Sequence, residues 1–266
     1  MPLSPSPINV IRIYPILLLL FVVAACRPAK IVSSDADSYA MKNDTVGIDS
    51  SIYKMILPYK TYVDKAMDVT LAFAANEMPA PNRKNIATET LLGNFLADVF
   101  MKYTNEFYKP ADGQTVDFAL FNTGGIRNSL PKGAITIRNV FEVLPFDNRL
   151  TVVTMSGDSV QALFNYVAKK GGDPVSGLQL GISNGKPVNP IIQGKPFDKT
   201  KTYKVLTNDF CAMGGDYMGF FTGAKNYEDV GAVLRDAIIH KLKEYNAQGL
   251  EIEGKLDQRI YNADAK

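Results

Sequence analysis

Two glycine pairs constrain this chain more than any other feature, because each sits where an apolar strand ends. Residues 116–121 (VDFALF) read as a buried strand that runs straight into Asn122-Thr123-Gly124-Gly125-Ile126-Arg127. Glycines at that point let backbone N–H groups approach an anion or an aromatic ring. Val205 to Thr207 read as a second strand, and Asn208-Asp209-Phe210-Cys211 lead from it toward Gly214-Gly215-Asp216. A glycine turn after a strand is either a tight exit or the wall of a ligand site. Here the flanking residues carry chemistry: Arg127 is a forked donor suited to phosphate. Asp216 is a carboxylate that either accepts sugar hydroxyls or satisfies turn amides. Phe146, within Leu144-Pro145-Phe146-Asp147-Asn148, is either a core plug or a stacking platform; stacking on a flat base is worth on the order of 1–3 kcal/mol.

The rest of the chain supplies a scaffold. Asp49 or Ser50 can cap a packing helix through Ile52, Met55, Ile56 and Tyr59, bent or limited by Pro58, with a further turn set through Val63 and Met67. Residues 69–75 suit a strand. From Thr88 or Thr90 a helix places Leu92, Phe95, Leu96, Val99, Phe100 and Tyr103 on one stripe for burial. Asn94 and Asp98, four apart on another face, suit bonding to a neighbouring loop better than catalysis. Residues 150–155 form a strand, after which Ser156 caps a helix that carries Asp158 in its first turn and stops at Gly171. Leu178 to Tyr203 read as hairpins or a meander, Val230 to Tyr245 as a final helix, and 250–261 as a closing edge strand. Helices interleaved with hairpins and crossovers point to a mixed α/β (α+β) fold, with sheets covered by helices.

The N-terminal residues 1–25 read as a secretion leader. Arg12 is the one charge before an apolar run from Tyr14 to Ala25, too short to span a bilayer comfortably. The run ends at Val23-Ala24-Ala25-Cys26, which resembles a lipoprotein cleavage site with Cys26 as the lipidated residue; the alternative is an uncleaved anchor with an incidental cysteine. Either way the body of the protein lies outside the cytoplasm, at the cell envelope; with Cys26 lipidated, it is held on a lipid membrane through that residue. Residues 26–49 read as a flexible tether, and 50–262 as one domain. The single histidine and two cysteines cannot build a Cys/His metal cluster or a disulfide framework. His240 reads as a surface or packing residue, and no serine lies in a G-x-S-x-G elbow. A formal charge of +2, without basic blocks, argues against nucleic acid as a partner.

Taken together, ETLLGNFLAD (89–98), NTGGIR (122–127), LPFDN (144–148) and TNDFCAMGGD (207–216) resemble, in family order, the C-terminal domain of the 5'-nucleotidase and UDP-sugar hydrolase family. The resemblance implies an α/β/β/α layered unit that binds the nucleoside part of a nucleotide, with the base between Phe146 and Phe210. It places Asn122 and Asn148 near the base beside Gly124 and Gly125, Arg127 on phosphate, and Asp216 on the ribose hydroxyls. Where the family carries an arginine near the start of the Glu89 helix, Thr88 stands here, and only Arg83 or Lys84 could substitute. Full-length relatives add a metallophosphoesterase domain with a two-metal site, which one histidine cannot build. The resemblance therefore implies a nucleotide- or nucleoside-binding chain with no cofactor of its own, with hydrolysis and its divalent metals on a separate metallophosphoesterase chain. The alternative is a non-catalytic nucleoside-binding envelope lipoprotein.

Overall fold

Strand alternation places the centre of this fold. The computed structural model describes residues 47–82 and 88–265; the leader, Cys26, the tether up to residue 46, Arg83 and Lys84 lie outside the described residues. In chain order the elements are α1 (Ser50–Met67), β1 (Thr70–Ala74), α2 (Leu91–Phe107), β2 (Phe118–Leu120), β3 (Gly133–Thr136) and α3 (Ile137–Val143), followed by β4 (Arg149–Ser156), α4 (Gly157–Lys170), β5 (Val175–Ser176), β6 (Leu178–Ser183) and β7 (Lys186–Ile192). Next come β8 (Lys195–Pro196), β9 (Thr202–Asn208), the short α5 (Asp209–Ala212), β10 (Asn226–Val233), α6 (Leu234–Ala247) and β11 (Ile260–Asn262).

The main sheet has the order β10-β4-β9-β2-β5, with β2 and β9 parallel and the other neighbours antiparallel. Successive residues of a strand point to opposite faces. Leu150 and Val152 of β4, Ala119 of β2 and Leu206 of β9 therefore enter one core with α2 and α6. Val153 and Met155, Phe118 and Leu120, and Val205 enter a second core. That second core is closed by α4 and by the sheet β11-β6-β7-β8. The mixed, layered fold expected from the sequence is the one observed.

Local signals account for the helices. Thr90 caps α2 by accepting the Gly93 N–H at 3.1 Å, and the stripe from Leu92 to Phe100 is buried. Asn94, Ala97 and Met101 of α2 are buried as well, and residues 255–259 are tied to this helix. Asn94 donates to the Lys255 carbonyl at 2.7 Å, and Arg259 grips both oxygens of Asp98 at 2.8 and 2.9 Å. Both polar residues are thus loop anchors. Ser156 caps α4 by accepting the Ser159 N–H, and Gly171 ends it with φ of 100°, a left-handed turn that glycine makes without a Cβ clash. His240 is exposed and meets Tyr103 and Phe107 edge-on.

Three expectations are corrected and one helix is added. Helix α1 continues through Pro58 and buries none of its residues, so it is not a packing helix; its hold on the unit runs through polar groups, with Arg138 paired to Asp64 and Asp68. The final helix begins at Leu234, because 226–233 is the edge strand β10, with Gly231 at φ 89°. Helix α3, fixed by a reciprocal cap between Thr136 and Asn139, was not expected. Within 250–261, pairing is confined to an Ile252 bridge with Ala74 and to β11 at the edge of its sheet.

Gly157, the first residue of α4, is where the chain from Lys199 to Lys201 crosses closest. A Cβ there would lie 2.1 Å from the Lys199 carbonyl oxygen, a backbone atom with little room to yield. Urea unfolding should show Gly157→Ala less stable by about 1–3 kcal/mol. Gly223→Ala, with nothing within 4 Å of its Cβ, should stay within about 0.5 kcal/mol of the parent; equal losses would refute the contact argument.

Candidate functional site

The parallel pairing of β2 with β9 brings the ends of these strands together. Asn122 follows β2 and Asn208 ends β9, and the Asn208 amide donates to the Asn122 Oδ1 at 3.2 Å. The Asn122 amide donates in turn to Asp216 Oδ2 at 2.7 Å. On its other side, Asn208 caps α5 by accepting the Cys211 N–H at 2.8 Å. Asn122 and Asn208 are both buried, so each amide is satisfied within the chain and its orientation is fixed. Asn122 therefore serves as the brace of Asp216 as well as lining the site.

Three loops converge on this chain of amides. The turn Thr123–Gly125 is held from behind by Asp173, whose Oδ1 accepts from the Thr123 N–H at 2.9 Å and from its hydroxyl at 2.7 Å. Lys170 pairs with Asp173 at 2.7 Å. Burial pushes the Asp173 carboxyl upward, and the Lys170 charge and the Thr123 bonds oppose it. Arg127 leaves the turn with its N–H on the Val143 carbonyl and its guanidinium 5.7 Å from the Phe146 ring centre. Asp216 and Tyr217 both adopt left-handed backbone, with φ of 55° and 62°. The Asp216 carbonyl is held by the Tyr166 hydroxyl at 2.9 Å. Two non-glycine residues in that region are a local strain, and it turns the carboxylate back toward Asn122.

One cavity of about 360 Å³ is lined by Asn122, Gly124, Gly125, Arg127, Phe146, Asn148, Phe210 and Asp216. All eight residues singled out in the sequence as ligand contacts come together there, in a volume typical of small-molecule sites. Phe146 and Phe210 are each 48% exposed, which rules out the reading of Phe146 as a core plug. The Phe210 ring folds over Gly215. Arg127 and Asp216 are the charged residues of the lining. With Asp216 Oδ2 engaged by Asn122, its Oδ1 has no hydrogen-bond partner among the described residues. Cys211 is fully buried beside the site, and burial together with the charges of Asp216 and Asp173 pushes its thiol up to about 12. It is an inert core residue. Among the described residues no group of three or more His, Cys, Asp or Glu is placed to hold a metal ion.

The sequence reading missed Asn208, Asp173 and Tyr166. Asn208 lies inside a quoted motif but has no chemistry until β2 and β9 are paired. Tyr166 lies on α4 and Asp173 after it, where nothing in their spacing points to a turn about 50 residues away.

Parallel strands that end side by side beneath a cavity are a common way for α/β domains to hold small ligands. The sequence profile of the 5'-nucleotidase C-terminal domain matches residues 70–223; the chain belongs to that family. Protein UshA of Yersinia enterocolitica is 30% identical over 218 residues, covering 80% of this chain and 36% of that protein. The trifunctional nucleotide phosphoesterase YfkN of Bacillus subtilis is 32% identical over 66% of this chain and 13% of its own length. Among solved structures, a 5'-nucleotidase precursor from Thermus thermophilus superposes with a TM-score of 0.66 at 28% identity, covering 85% of this chain and 46% of that one. This chain thus spans about a third of the length of the Yersinia relative.

The Gly215 contact gives a test of the local geometry. A Cβ there would lie 2.5 Å from two Phe210 ring carbons and 2.6 Å from the Phe210 carbonyl oxygen. Gly215→Ala should shift the Phe210 aromatic NMR resonances and lower stability by about 1–3 kcal/mol. Gly219→Ala, with open space around its Cβ, should do neither; unshifted Phe210 resonances in Gly215→Ala would contradict the described packing.

Proposed function

We propose that this cavity binds the nucleoside part of a nucleotide, with the base stacked on Phe146 and Phe210, the ribose hydroxyls on Asp216 and the phosphate toward Arg127. The observation that carries this reading is the convergence of two half-exposed rings, one guanidinium and one braced carboxylate on a single cavity. Each group matches a part of the ligand: rings for a flat base, an anionic acceptor for hydroxyls, a forked cation for phosphate. Bonds to Asp216 and Asn208 orient the Asn122 amide, which keeps one N–H for the base edge beside Asn148.

Hydrolysis of the phosphate ester, in this reading, belongs to a metallophosphoesterase on a separate chain, which would carry the divalent metals. The support is chemical: a two-metal centre needs several nitrogen and oxygen ligands gathered together, and this sequence offers a single histidine. The protein would be held at the cell envelope by a lipid on Cys26, a reading supported by the apolar run that ends in Val-Ala-Ala-Cys.

Two experiments test these proposals. In calorimetric titrations with AMP and adenosine, Phe146→Ala and Phe210→Ala should each weaken binding about tenfold or more, the loss expected for one stacking contact. The full chain with manganese should release no phosphate from AMP until a metallophosphoesterase chain is added. Unchanged affinity in both variants would overturn the nucleoside reading, and robust hydrolysis by the pure chain would overturn the division of labour. Separately, Cys26→Ser should move the protein from the membrane fraction to the soluble fraction of its host. Retention in the membrane would exclude the lipid anchor.

A further inference from the structure

The loop carrying Phe146 and Asn148 has no regular structure of its own, and its shape depends on the start of α6. Arg235, the second residue of that helix, donates through Nη1 to the carbonyl oxygens of Leu144 at 3.0 Å and Phe146 at 2.8 Å. Its Nη2 pairs with the Asp147 carboxylate. The guanidinium lies 4.5 Å from the ring centre of Phe141 in α3, and the side chain is only 12% exposed. The next contact along the loop comes from the preceding residue, where the Leu234 N–H donates to the Asn148 carbonyl at 2.9 Å.

A cation in the first turn of a helix opposes the helix dipole. Its place there is accounted for by the loop, not by the helix. One planar fork reaches two carbonyls and a carboxylate at once while stacking on an aromatic face, and a lysine ammonium cannot reproduce that geometry. The carbonyl of Phe146 itself is one of the acceptors. Rotation of that peptide would tilt the Phe146 ring, which is half exposed and lines the cavity. Arg235 does not line the cavity.

We infer that Arg235 is a positioning residue for base recognition: without touching the ligand, it sets the attitude of the Phe146 ring and so the affinity for a flat aromatic group. The inference rests on the proposal that Phe146 stacks on the base.

The test is a double-mutant cycle on the full chain, titrated with adenosine and with ribose 5-phosphate, which lacks a base. Arg235→Ala should weaken adenosine binding on the order of tenfold and leave ribose 5-phosphate unchanged. Arg235→Lys, which keeps the charge, should show the same loss. In a Phe146→Ala background, Arg235→Ala should add nothing. If Phe146→Ala alone leaves adenosine affinity intact, the stacking proposal falls, and this inference with it. If Phe146→Ala weakens binding but Arg235→Lys does not, or if the two losses add in full, the inference fails while stacking stands. Should Arg235→Ala not fold, Arg235→Lys reports the same comparison.

Discussion

The parallel register of β2 against β9, Phe118 opposite Val205 and Ala119 opposite Leu206, is the constraint on which the site depends. In a parallel pair both strands end at the same edge of the sheet. That puts Asn122 and Asn208 side by side, although they are 86 residues apart in sequence. Antiparallel β4 starts at the same edge, so Asn148 arrives beside them from the opposite direction. Three adjacent strands thus deliver three loops to one place. A slip of one residue in β2 would exchange its two faces, putting Ala119 where Phe118 belongs and turning Asn122 away from its partners.

The two cores make that register expensive to change. Phe118, Leu120, Val153 and Val205 are completely buried on one face, and Ala119, Leu150, Val152 and Leu206 on the other. Fully burying a large apolar side chain is worth about 1.5–3 kcal/mol, so a slip would forfeit several such terms. Polar anchors act on a finer scale. Asp173 behind Thr123, Tyr166 behind Asp216 and the pairing of Arg259 with Asp98 each fix a loop that the sheet alone would leave free. Their value lies in geometry more than in stability, because a buried charge must first offset its own desolvation.

Much of this could be read in the sequence where one segment decides its own structure. Helix α4 carried its cap, its periodicity and its glycine stop within a few residues. The stripe on α2 was equally plain, and the residues lining the cavity were named from their motifs. The failures have a common cause. Edge strand β10 is largely exposed, so NYEDVGAV shows no alternation to find. Helix α3 has seven residues, too few for a periodic pattern, and its reciprocal cap uses Asn139 where glutamate or glutamine is the usual signal. Helix α1 has an apolar pattern that suggested burial, yet none of its residues is buried. Arg235, Asp173 and Asn208 owe their roles to segments distant in sequence, which no local pattern can announce.

The chain of amides from Asn208 through Asn122 to Asp216 also gives the carboxylate a direction. With Oδ2 engaged by Asn122, which Asn208 holds in turn, the carboxylate is kept in one orientation. A symmetric carboxylate free to rotate about its bonds would accept hydroxyls in many arrangements. If Asp216 receives ligand hydroxyls as proposed, its fixed orientation makes it sensitive to where the hydroxyls of a ring stand as well as to how many the ring carries.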